Sequence, residues 1–343
     1  MTASYVTVQW NRHKRVYDAV LLTGVLLSIG VFVATGLLVQ SGDHAHDPMI
    51  LLIRAFGVTA ILLLHVVLCI GPLARLSDRC KPLLYNRRHL GVTTFAVALL
   101  HAALVVLYYG GFGVRMPLLA VLDGGTVFPL LGFFALLILF ALAATSHDFW
   151  LANLSPRVWK SLHMLVYVAY ALVVMHVALG AMWSERSLLY PVLLGLGVVV
   201  VGSLHAITGV REWMLDRRGV VGEHWLEVGA VDDIPEDRAL VVCPKRGERI
   251  AVFRYDGKVS AMSNVCAHQG GPLGEGKIVD GCITCPWHGY QYLPDKGASP
   301  PPYSEKIATY RVRIEGRTVM VDSSPLPPGT PVEPARIEEP SDG

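Results

Sequence analysis

The chain has 343 residues, of which 53% are hydrophobic and 16% are charged, and its formal net charge is +2. This composition indicates a membrane protein, and it gives no reason to expect a nucleic-acid partner. The six cysteines show no spacing typical of a disulfide framework. Apolar runs fill the first 210 residues, whereas charged residues, glycine and proline are concentrated in the remainder. We therefore expect two domains.

Six stretches of the first part are apolar and close to the roughly 20 residues that a bilayer-spanning helix needs. They cover residues 19–39, 52–73, 90–109, 127–144, 162–182 and 188–207. The first stretch exceeds the apolar core of a cleaved signal peptide, about 7–15 residues long, and further spans follow it. We interpret it as a signal anchor. The sequence therefore predicts an all-α membrane domain of six helices.

Lysine and arginine are concentrated in the segments that would lie on one side of such a domain. They are Arg12, Lys14, Arg15, Arg75, Arg79, Lys81, Arg87, Arg88, Arg157, Lys160, Arg211, Arg217 and Arg218. The opposite loops contain only Arg115 and Arg186. Because positively charged segments stay on the cytoplasmic side, we expect a multi-pass inner-membrane protein with both termini in the cytoplasm.

Five histidines fall inside the predicted spans, namely His65, His101, His163, His176 and His205. A polar side chain in a membrane is costly and usually faces the bundle interior with a partner. A single histidine would most often bond another helix, but five favour heme ligation. His101 lies thirteen residues beyond Arg88 and His176 lies sixteen beyond Lys160, so their depths differ by only about 5 Å. These two imidazoles could bind one heme iron from opposite sides.

A second, inner heme would need His163, which lies about 20 Å from His176 along the helix. The partner of His163 would be His89, His65 or His205, and the alternative for each is a hydrogen-bonded helix residue. An ideal helix leaves His163 and His176 roughly 140° apart around its axis. The two-heme interpretation therefore requires a distortion of this helix or ligation on different flanks of the two macrocycles.

The sequences at residues 88–91 (RHLG), 161–167 (SLHMLVY) and 174–176 (VMH), together with His101, resemble the ferric reductase-like transmembrane family. The resemblance covers about residues 73–182 and implies b-type heme on His101 and His176. The family includes NADPH oxidases and the heme-binding membrane subunit that supplies periplasmic methionine sulfoxide reductase. Its two-heme members carry a further histidine fourteen residues before the one that matches His101. Arg87 occupies that position here, so one heme is expected and two are an open alternative.

After a linker at residues 211–224, short β-prone runs alternate with turn signals such as Asp256-Gly257 and Glu315-Gly316. This pattern predicts a small all-β domain over residues 225–322. Residues 323–343 are rich in proline and acidic residues, and we expect a disordered tail. The predicted order is a cytoplasmic N-terminus at 1–15, the heme-binding membrane domain at 16–210, the linker, the β domain and the tail.

Two mixed pairs of cysteine and histidine lie in the β domain, Cys266 with His268 and Cys285 with His288. They suit a [2Fe-2S] centre in which two thiolates bind one iron and two imidazoles bind the other. Zinc accepts the same ligand types, but zinc fingers usually pair cysteine with cysteine and histidine with histidine. We therefore interpret these four residues as cluster ligands.

The two motifs, with Gly270-Gly271-Pro272 and the proline loop at residues 300–302, resemble the Rieske family over about residues 225–322. Rieske proteins of cytochrome bc complexes carry a disulfide at the positions of Gly271 and Trp287, so this chain resembles the ferredoxin type, which suits a reducing compartment. Those proteins also bond a cluster sulfur through a hydroxyl at the position of Tyr290. Its loss predicts a potential toward the lower end of the Rieske range of roughly −150 to +300 mV.

Together these features predict a membrane electron-transfer protein without its own flavin or NAD(P)H domain. A cytoplasmic reductase or ferredoxin would donate an electron to the cluster, and b-type heme would pass it to an extracytoplasmic redox partner or a quinone. Two alternatives remain, a quinol-oxidising cytochrome that delivers electrons inward and a redox sensor without turnover. A terminal Rieske oxygenase is disfavoured, because too little sequence follows the cluster motif for a mononuclear iron domain.

Overall fold

A computed structural model describes residues 12–39, 47–110, 126–147, 150, 154, 156–180, 182, 188–217, 224–245, 247–268, 270–287, 289–301 and 303–338. The chain divides into two compact units, with the boundary between Ala206 and Ile207. The first unit is helical and the second consists mainly of short β-strands.

The helices are α1 (Arg12–Val39), α2 (Pro48–Leu76), α3 (Arg87–Gly110), α4 (Phe128–Ala144), α5 (Pro156–His163), α6 (Val166–Leu179) and α7 (Leu189–Arg217), and a 3-10 segment covers Asp78–Asn86. Within the described residues, five helices are long and apolar enough to cross a membrane, with α5 and α6 counted together. The apolar α4 has 17 residues. Each predicted span corresponds to one of these six segments, which confirms the predicted fold class of a helical membrane domain followed by a small β domain.

The exterior of the helical unit is apolar. Leu26, Leu38 and Leu107 are 70%, 79% and 72% exposed. Exposing this much apolar surface to water would be unfavourable. Inside, a cluster of buried aliphatic side chains joins four helices. Its buried members are Leu64 and Leu68 of α2, Leu139 and Leu142 of α4, Ala169 of α6 and Val201 of α7. An apolar surface around an apolar interior is what a lipid environment requires.

The predicted fifth span is interrupted between α5 and α6. Met164 and Leu165 form a turn, in which the Leu165 N–H donates to the Leu162 carbonyl at 3.0 Å. A bond over three residues tightens the helix locally. The turn therefore interrupts the ideal helix between His163 and His176, and a distortion here is one of the two alternatives that the two-heme interpretation allows.

Three antiparallel sheets build the second unit. The strands are β1 (Trp225–Ala230), β2 (Arg238–Val242), β3 (Ile250–Tyr255), β4 (Lys258–Ser263), β5 (Lys277–Val279), β6 (Cys282–Thr284), β7 (Gln291–Tyr292), β8 (Thr309–Tyr310), β9 (Val312–Glu315), β10 (Thr318–Asp322) and β11 (Ala335–Arg336). One sheet has the order β1-β10-β9, the second has the order β11-β4-β3-β2 with β8 also paired to β4, and the third has the order β5-β6-β7.

Two apolar clusters fill this unit. One packs the first two sheets together around Leu226, Val252 and Val319. The other surrounds the fully buried Phe253 and Tyr292 and includes the two cysteines of the predicted cluster motif. The cysteines therefore belong to the domain core and not to a flexible surface segment.

The prediction of a disordered tail is wrong for residues 323–338. Strand β11 pairs antiparallel with β4, and the Gly329 N–H donates to the Ile307 carbonyl at 3.1 Å. The Ile337 N–H donates to the Gly257 carbonyl at 2.9 Å. Backbone hydrogen bonds to the neighbouring strand order this segment, and they need no apolar repeat in its sequence. Composition alone therefore could not predict that it is ordered. Residues 339–343 lie outside the described part of the chain.

Helix α7 continues to Arg217, beyond residue 210 where the predicted membrane domain ends. Its last two turns carry Glu212 and Asp216, which both form ion pairs with Arg249. The Arg249 carbonyl in turn accepts from the Asn264 N–H at 2.9 Å. The end of α7 is thus bonded to the segment that leads into the first cysteine loop.

Candidate redox centres

Two loops carry the predicted cluster ligands, the first at residues 266–271 after β4 and the second at residues 285–290 after β6. Both close with the same pair of backbone hydrogen bonds, and both contain a glycine in the left-handed region, Gly270 at φ 70° and Gly289 at φ 72°. Glycine adopts this conformation without steric cost. The four bonds run from Cys266 N to Gly271 O at 2.9 Å, from Gly270 N to Cys266 O at 2.7 Å, from Cys285 N to Tyr290 O at 2.7 Å and from Gly289 N to Cys285 O at 2.9 Å.

The two loops pack directly against each other. A Cβ atom on Gly271 would lie 2.8 Å from Cys285 Sγ and 3.2 Å from the Trp287 ring. Both thiols are buried, with Cys266 1% and Cys285 3% exposed. The absence of a side chain at position 271 therefore allows the second cysteine to approach the first loop.

A tyrosine that the sequence analysis did not single out contacts the first thiol. Tyr292 Oη lies 3.3 Å from Cys266 Sγ and accepts a hydrogen bond from the Ala267 N–H at 3.0 Å. Since the oxygen already accepts from the backbone, its own proton is available to the sulfur. Burial raises the pKa of Tyr292, so the phenol keeps this proton. The sequence offered one signal for this contact, a tyrosine seven residues after Cys285, which is the last residue of β7.

His268 follows Cys266 in the first loop. Its ring stacks on Tyr290, with ring centroids 4.7 Å apart and planes 9° from parallel. The Tyr290 hydroxyl donates to the Glu305 carboxylate, which also accepts from the Ser304 N–H at 3.1 Å. Tyr290 therefore packs against one face of the His268 ring, which is a predicted cluster ligand. The fourth predicted ligand, His288, lies outside the described residues.

In the helical unit, His101 of α3 and His176 of α6 face each other, with ring centroids 6.4 Å apart and planes at 81°. His101 Nδ1 lies 2.9 Å from the Ile53 carbonyl oxygen, and His176 Nδ1 lies 2.7 Å from the Phe128 carbonyl oxygen. A carbonyl only accepts, so Nδ1 carries the proton in both rings and Nε2 is left with its lone pair. The two histidines are thus in the tautomer that a metal requires.

A glycine makes room for each of these imidazoles. A Cβ on Gly57 would lie 3.1 Å from His101 Nδ1, and a Cβ on Gly132 would lie 2.8 Å from His176 Nδ1. Each glycine is four residues after the carbonyl that the imidazole contacts. The α2–α3 contact and the α4–α6 contact therefore repeat one local arrangement.

The other predicted heme ligands have different surroundings. His163 Nε2 lies 3.2 Å from Thr145 Oγ1, and its ring stacks on Trp159 at 3.8 Å. His205 Nδ1 lies 2.9 Å from the Val201 carbonyl and its Nε2 lies 3.0 Å from the Tyr167 hydroxyl.

His89 Nδ1 lies 3.0 Å from both carboxylate oxygens of Asp18. His65 is buried against Gly197 and Tyr170, and within the described part of the chain its Nε2 has no hydrogen-bond partner. Of the predicted heme ligands, the structure brings His101 and His176 together as a facing pair.

Comparison with known families matches both units. The Rieske [2Fe-2S] domain family matches residues 224–311, and the ferric reductase-like transmembrane component family matches residues 56–174. The ferredoxin component of the naphthalene 1,2-dioxygenase system of Pseudomonas aeruginosa is 33% identical over 103 residues, which are 30% of this chain and 98% of that protein. This chain belongs to the Rieske [2Fe-2S] family.

Two further relatives are each similar to less than a third of the chain. Cholesterol 7-desaturase nvd 1 of Ciona intestinalis is 46% identical over 66 residues, which are 19% of this chain and 14% of that protein. The solved structure of Sphingomonas yanoikuyae B1 ferredoxin is 29% identical, with 29% of this chain and 98% of that chain covered, at a TM-score of 0.27. The predicted combination of a ferric reductase-like membrane domain with a Rieske domain is confirmed, and the chain is a membrane redox protein.

The residues of the Rieske domain fit a [2Fe-2S] cluster better than a zinc ion. Cys266 and Cys285 are both buried, and each is followed two or three residues later by a predicted histidine ligand. A tetrahedral zinc site needs its ligands around one ion, whereas a Rieske centre divides them in pairs between two irons. Two packed loops that each supply one buried thiol match the divided arrangement.

Proposed function

We propose that this chain carries single electrons between a Rieske cluster and a transmembrane b-type heme. The cluster would be held by Cys266 and Cys285 on one iron and by His268 and His288 on the other. The observation that carries the proposal is the facing pair of imidazoles inside a membrane domain of the same chain. With both groups bound, the protein would accept and release electrons one at a time on a path across the bilayer.

The spacing of His101 and His176 supports a heme between them. Metal–imidazole nitrogen bonds of about 2 Å on opposite sides of one iron would put the two ring centroids roughly 6 Å apart. The observed separation is 6.4 Å. The carbonyls of Ile53 and Phe128 fix the orientation and tautomer of each ring, as outer hydrogen bonds commonly do for metal-bound histidines.

A second, inner heme stays a prediction. Of the three partners considered for His163, His65 has the most favourable surroundings, because it is 8% exposed and its Nε2 has no hydrogen-bond partner in the described part of the chain. The nitrogens of His205 both have partners, and His89 is paired with Asp18.

The basic segments support a cytoplasmic Rieske domain. A cytoplasmic reductase or ferredoxin would then be the donor, and an extracytoplasmic redox partner or a quinone would be the acceptor. The Rieske domain supplies two buried thiols and a supported imidazole, which hold the charge of the cluster away from bulk water. The membrane domain supplies a dry, apolar path in which two fixed imidazoles set the position of the heme.

The test is purification of the full chain in detergent, with optical and EPR spectra and quantification of heme and iron. We expect His101→Ala and His176→Ala each to lose a low-spin heme and to keep the Rieske EPR signal. His205→Ala is the matched control, because it removes a membrane histidine whose nitrogens are both hydrogen-bonded, and it should keep the heme between His101 and His176. Unchanged heme in both His101→Ala and His176→Ala would contradict the proposal.

A further inference from the structure

A cleft of about 500 Å³ lies between α1, α3 and α4. Pockets for small organic ligands commonly have volumes of about 300–1,000 Å³. Its walls are aliphatic and include Leu21 and Leu22 of α1, Val92 of α3 and Ala143 of α4. The cleft is therefore large enough for an aromatic headgroup with part of an apolar tail.

Polar side chains line the same cleft. His89 and Asp18 form an ion pair, with His89 Nδ1 3.0 Å from the carboxylate, and Asn86 Nδ2 donates to that carboxylate at 2.7 Å. Arg88 and Thr93 also contribute to the lining. An apolar cleft thus contains a guanidinium, an imidazole, a hydroxyl and a carboxylate.

The position of these residues along the helices indicates the depth of the cleft. The apolar span of α1 begins at Lys14 and that of α3 begins at Arg87, so Asp18 and His89 lie within about 6 Å of the span ends. Leu22, one turn deeper, is 56% exposed. The cleft therefore combines a polar end near the basic side of the membrane domain with a lipid-facing wall.

We propose that this cleft binds the headgroup of an isoprenoid quinone. The proposal deepens the proposed function by assigning a site to its membrane-soluble acceptor, and it rests on that function. A quinone is neutral, and its two carbonyl oxygens accept hydrogen bonds from imidazole, guanidinium and hydroxyl donors. Among the lysine, arginine and acidic side chains of the lining, Arg88 and Asp18 bring one charge of each sign, so the cleft offers an anionic phosphate headgroup little net attraction. The lipid-facing leucine disfavours a water-soluble ligand.

Reduction of the quinone to the quinol consumes two electrons and two protons, with one proton added to each carbonyl oxygen. The electrons arrive one at a time through the redox groups of the proposed function, and the protons come from the solvent on the basic side. The side chains of His89 and Asp18 are 26% and 17% exposed. Both side chains are therefore partly accessible from outside the cleft.

The test uses the full chain in detergent and decyl-ubiquinone as the probe. The readout is the temperature of thermal unfolding, because a ligand that binds the folded state raises it. Leu22→Trp would fill the cleft. Leu26→Trp is the matched control, because it places the same ring one turn along α1, at a residue that is 70% exposed and does not line the cleft.

We expect saturable stabilisation by decyl-ubiquinone in the wild type and in Leu26→Trp. Leu22→Trp should require about tenfold more decyl-ubiquinone or more, which corresponds to a loss of about 1.4 kcal/mol in binding free energy. His89→Leu, which removes the donor and keeps an apolar side chain of moderate size, should weaken binding several-fold, by roughly one hydrogen bond. If Leu22→Trp does not fold, His89→Leu still tests the proposal.

Equal responses of Leu22→Trp and Leu26→Trp, or of His89→Leu and the wild type, would overturn the proposal. Stabilisation by dihexanoylphosphatidylglycerol in place of decyl-ubiquinone would also overturn it and would assign the cleft to an anionic lipid. The proposed function is tested separately by the heme and cluster content of the same samples. A protein that lacks heme but still binds decyl-ubiquinone, with a dependence on Leu22 and His89, would contradict the proposed function and support quinone binding in the cleft.

Discussion

The side chains proposed for the Rieske cluster come from two loops within one short stretch of chain, whereas His101 and His176 come from helices far apart in sequence. In the loops, backbone hydrogen bonds and two glycines with positive φ fix each cysteine locally. In the membrane, no local feature of α3 or α6 positions its imidazole, because the fixing carbonyl belongs to a neighbouring helix. One centre is thus specified by local sequence and the other by helix packing, and substitutions should affect them through different residues.

The largest effect should come from removing a thiolate. Cys285→Ser should abolish the Rieske EPR signal and leave the heme content per protein unchanged, since the two centres share no ligands. Cys243→Ser is the control, because Cys243 is a half-buried thiol of the same domain outside both loops. A Rieske signal that survives in Cys285→Ser would remove this cysteine from the ligand set, and a parallel loss of heme would show that the centres are not independent.

Helix packing can be tested at the glycine beside His176. Gly132→Val should displace the imidazole, because even a Cβ would lie 2.8 Å from Nδ1, and overpacking costs about 1–3 kcal/mol. Heme retention during purification should fall about tenfold for 1.4 kcal/mol, while cluster content stays constant. Gly195→Val is the matched control, since a Cβ on this glycine of α7 has no neighbour within 4 Å. Equal heme content in the two variants would refute the packing argument.

A smaller change is expected at the Rieske domain from Tyr292→Phe. The variant removes the hydrogen bond to Cys266 Sγ, which stabilises the reduced and more negative cluster, so the midpoint potential should fall. A loss of about 1 kcal/mol corresponds to roughly 40 mV for a one-electron couple. Redox titration measures the shift, and Tyr255→Phe, which loses a hydroxyl contact to Ser260, is the control. A potential that is unchanged or higher in Tyr292→Phe would exclude this role.

The smallest effect should come from a surface ion pair. The Arg317 guanidinium lowers the pKa of the Asp232 carboxyl through a hydrogen bond. A carboxylate whose pKa is depressed on folding stabilises the folded state above its unfolded pKa, and this contribution is lost as the pH falls through the folded pKa. Asp232→Asn should therefore lower the unfolding temperature slightly at pH 7, and the difference should disappear as the pH falls well below about 4. A difference that grows toward acid pH would contradict the assignment.

The sequence predicted those parts of the structure that local patterns determine. Six apolar runs predicted the helical segments, and the mixed Cys and His pairs predicted the two loops. The ordering of residues 323–338 was missed, because a two-residue strand on a sheet edge leaves no periodic signal. Tyr292 was missed for a related reason, since its contact with Cys266 depends on the pairing of β6 with β7.

The sequence predicted that His101 and His176 lie at similar depths in the membrane, but it could not predict that their rings face each other. Residue counts along each helix gave similar levels in the membrane, but they could not give the rotation of one helix against another. The angle between His163 and His176 was counted on an ideal helix, and the turn at Met164 and Leu165 lies between these two residues. The partner of His163 stays open for the same reason, because every choice depends on helix rotations that sequence spacing does not contain.

The repeated relation between a backbone carbonyl and a glycine four residues later has a use outside this protein. It suggests a design rule for a cofactor site between two transmembrane helices. A glycine leaves space for the imidazole of the neighbouring helix, and the backbone carbonyl one turn earlier accepts its hydrogen bond. Designers who transplant a histidine without this companion glycine should obtain a side chain that faces lipid, however well its depth has been chosen.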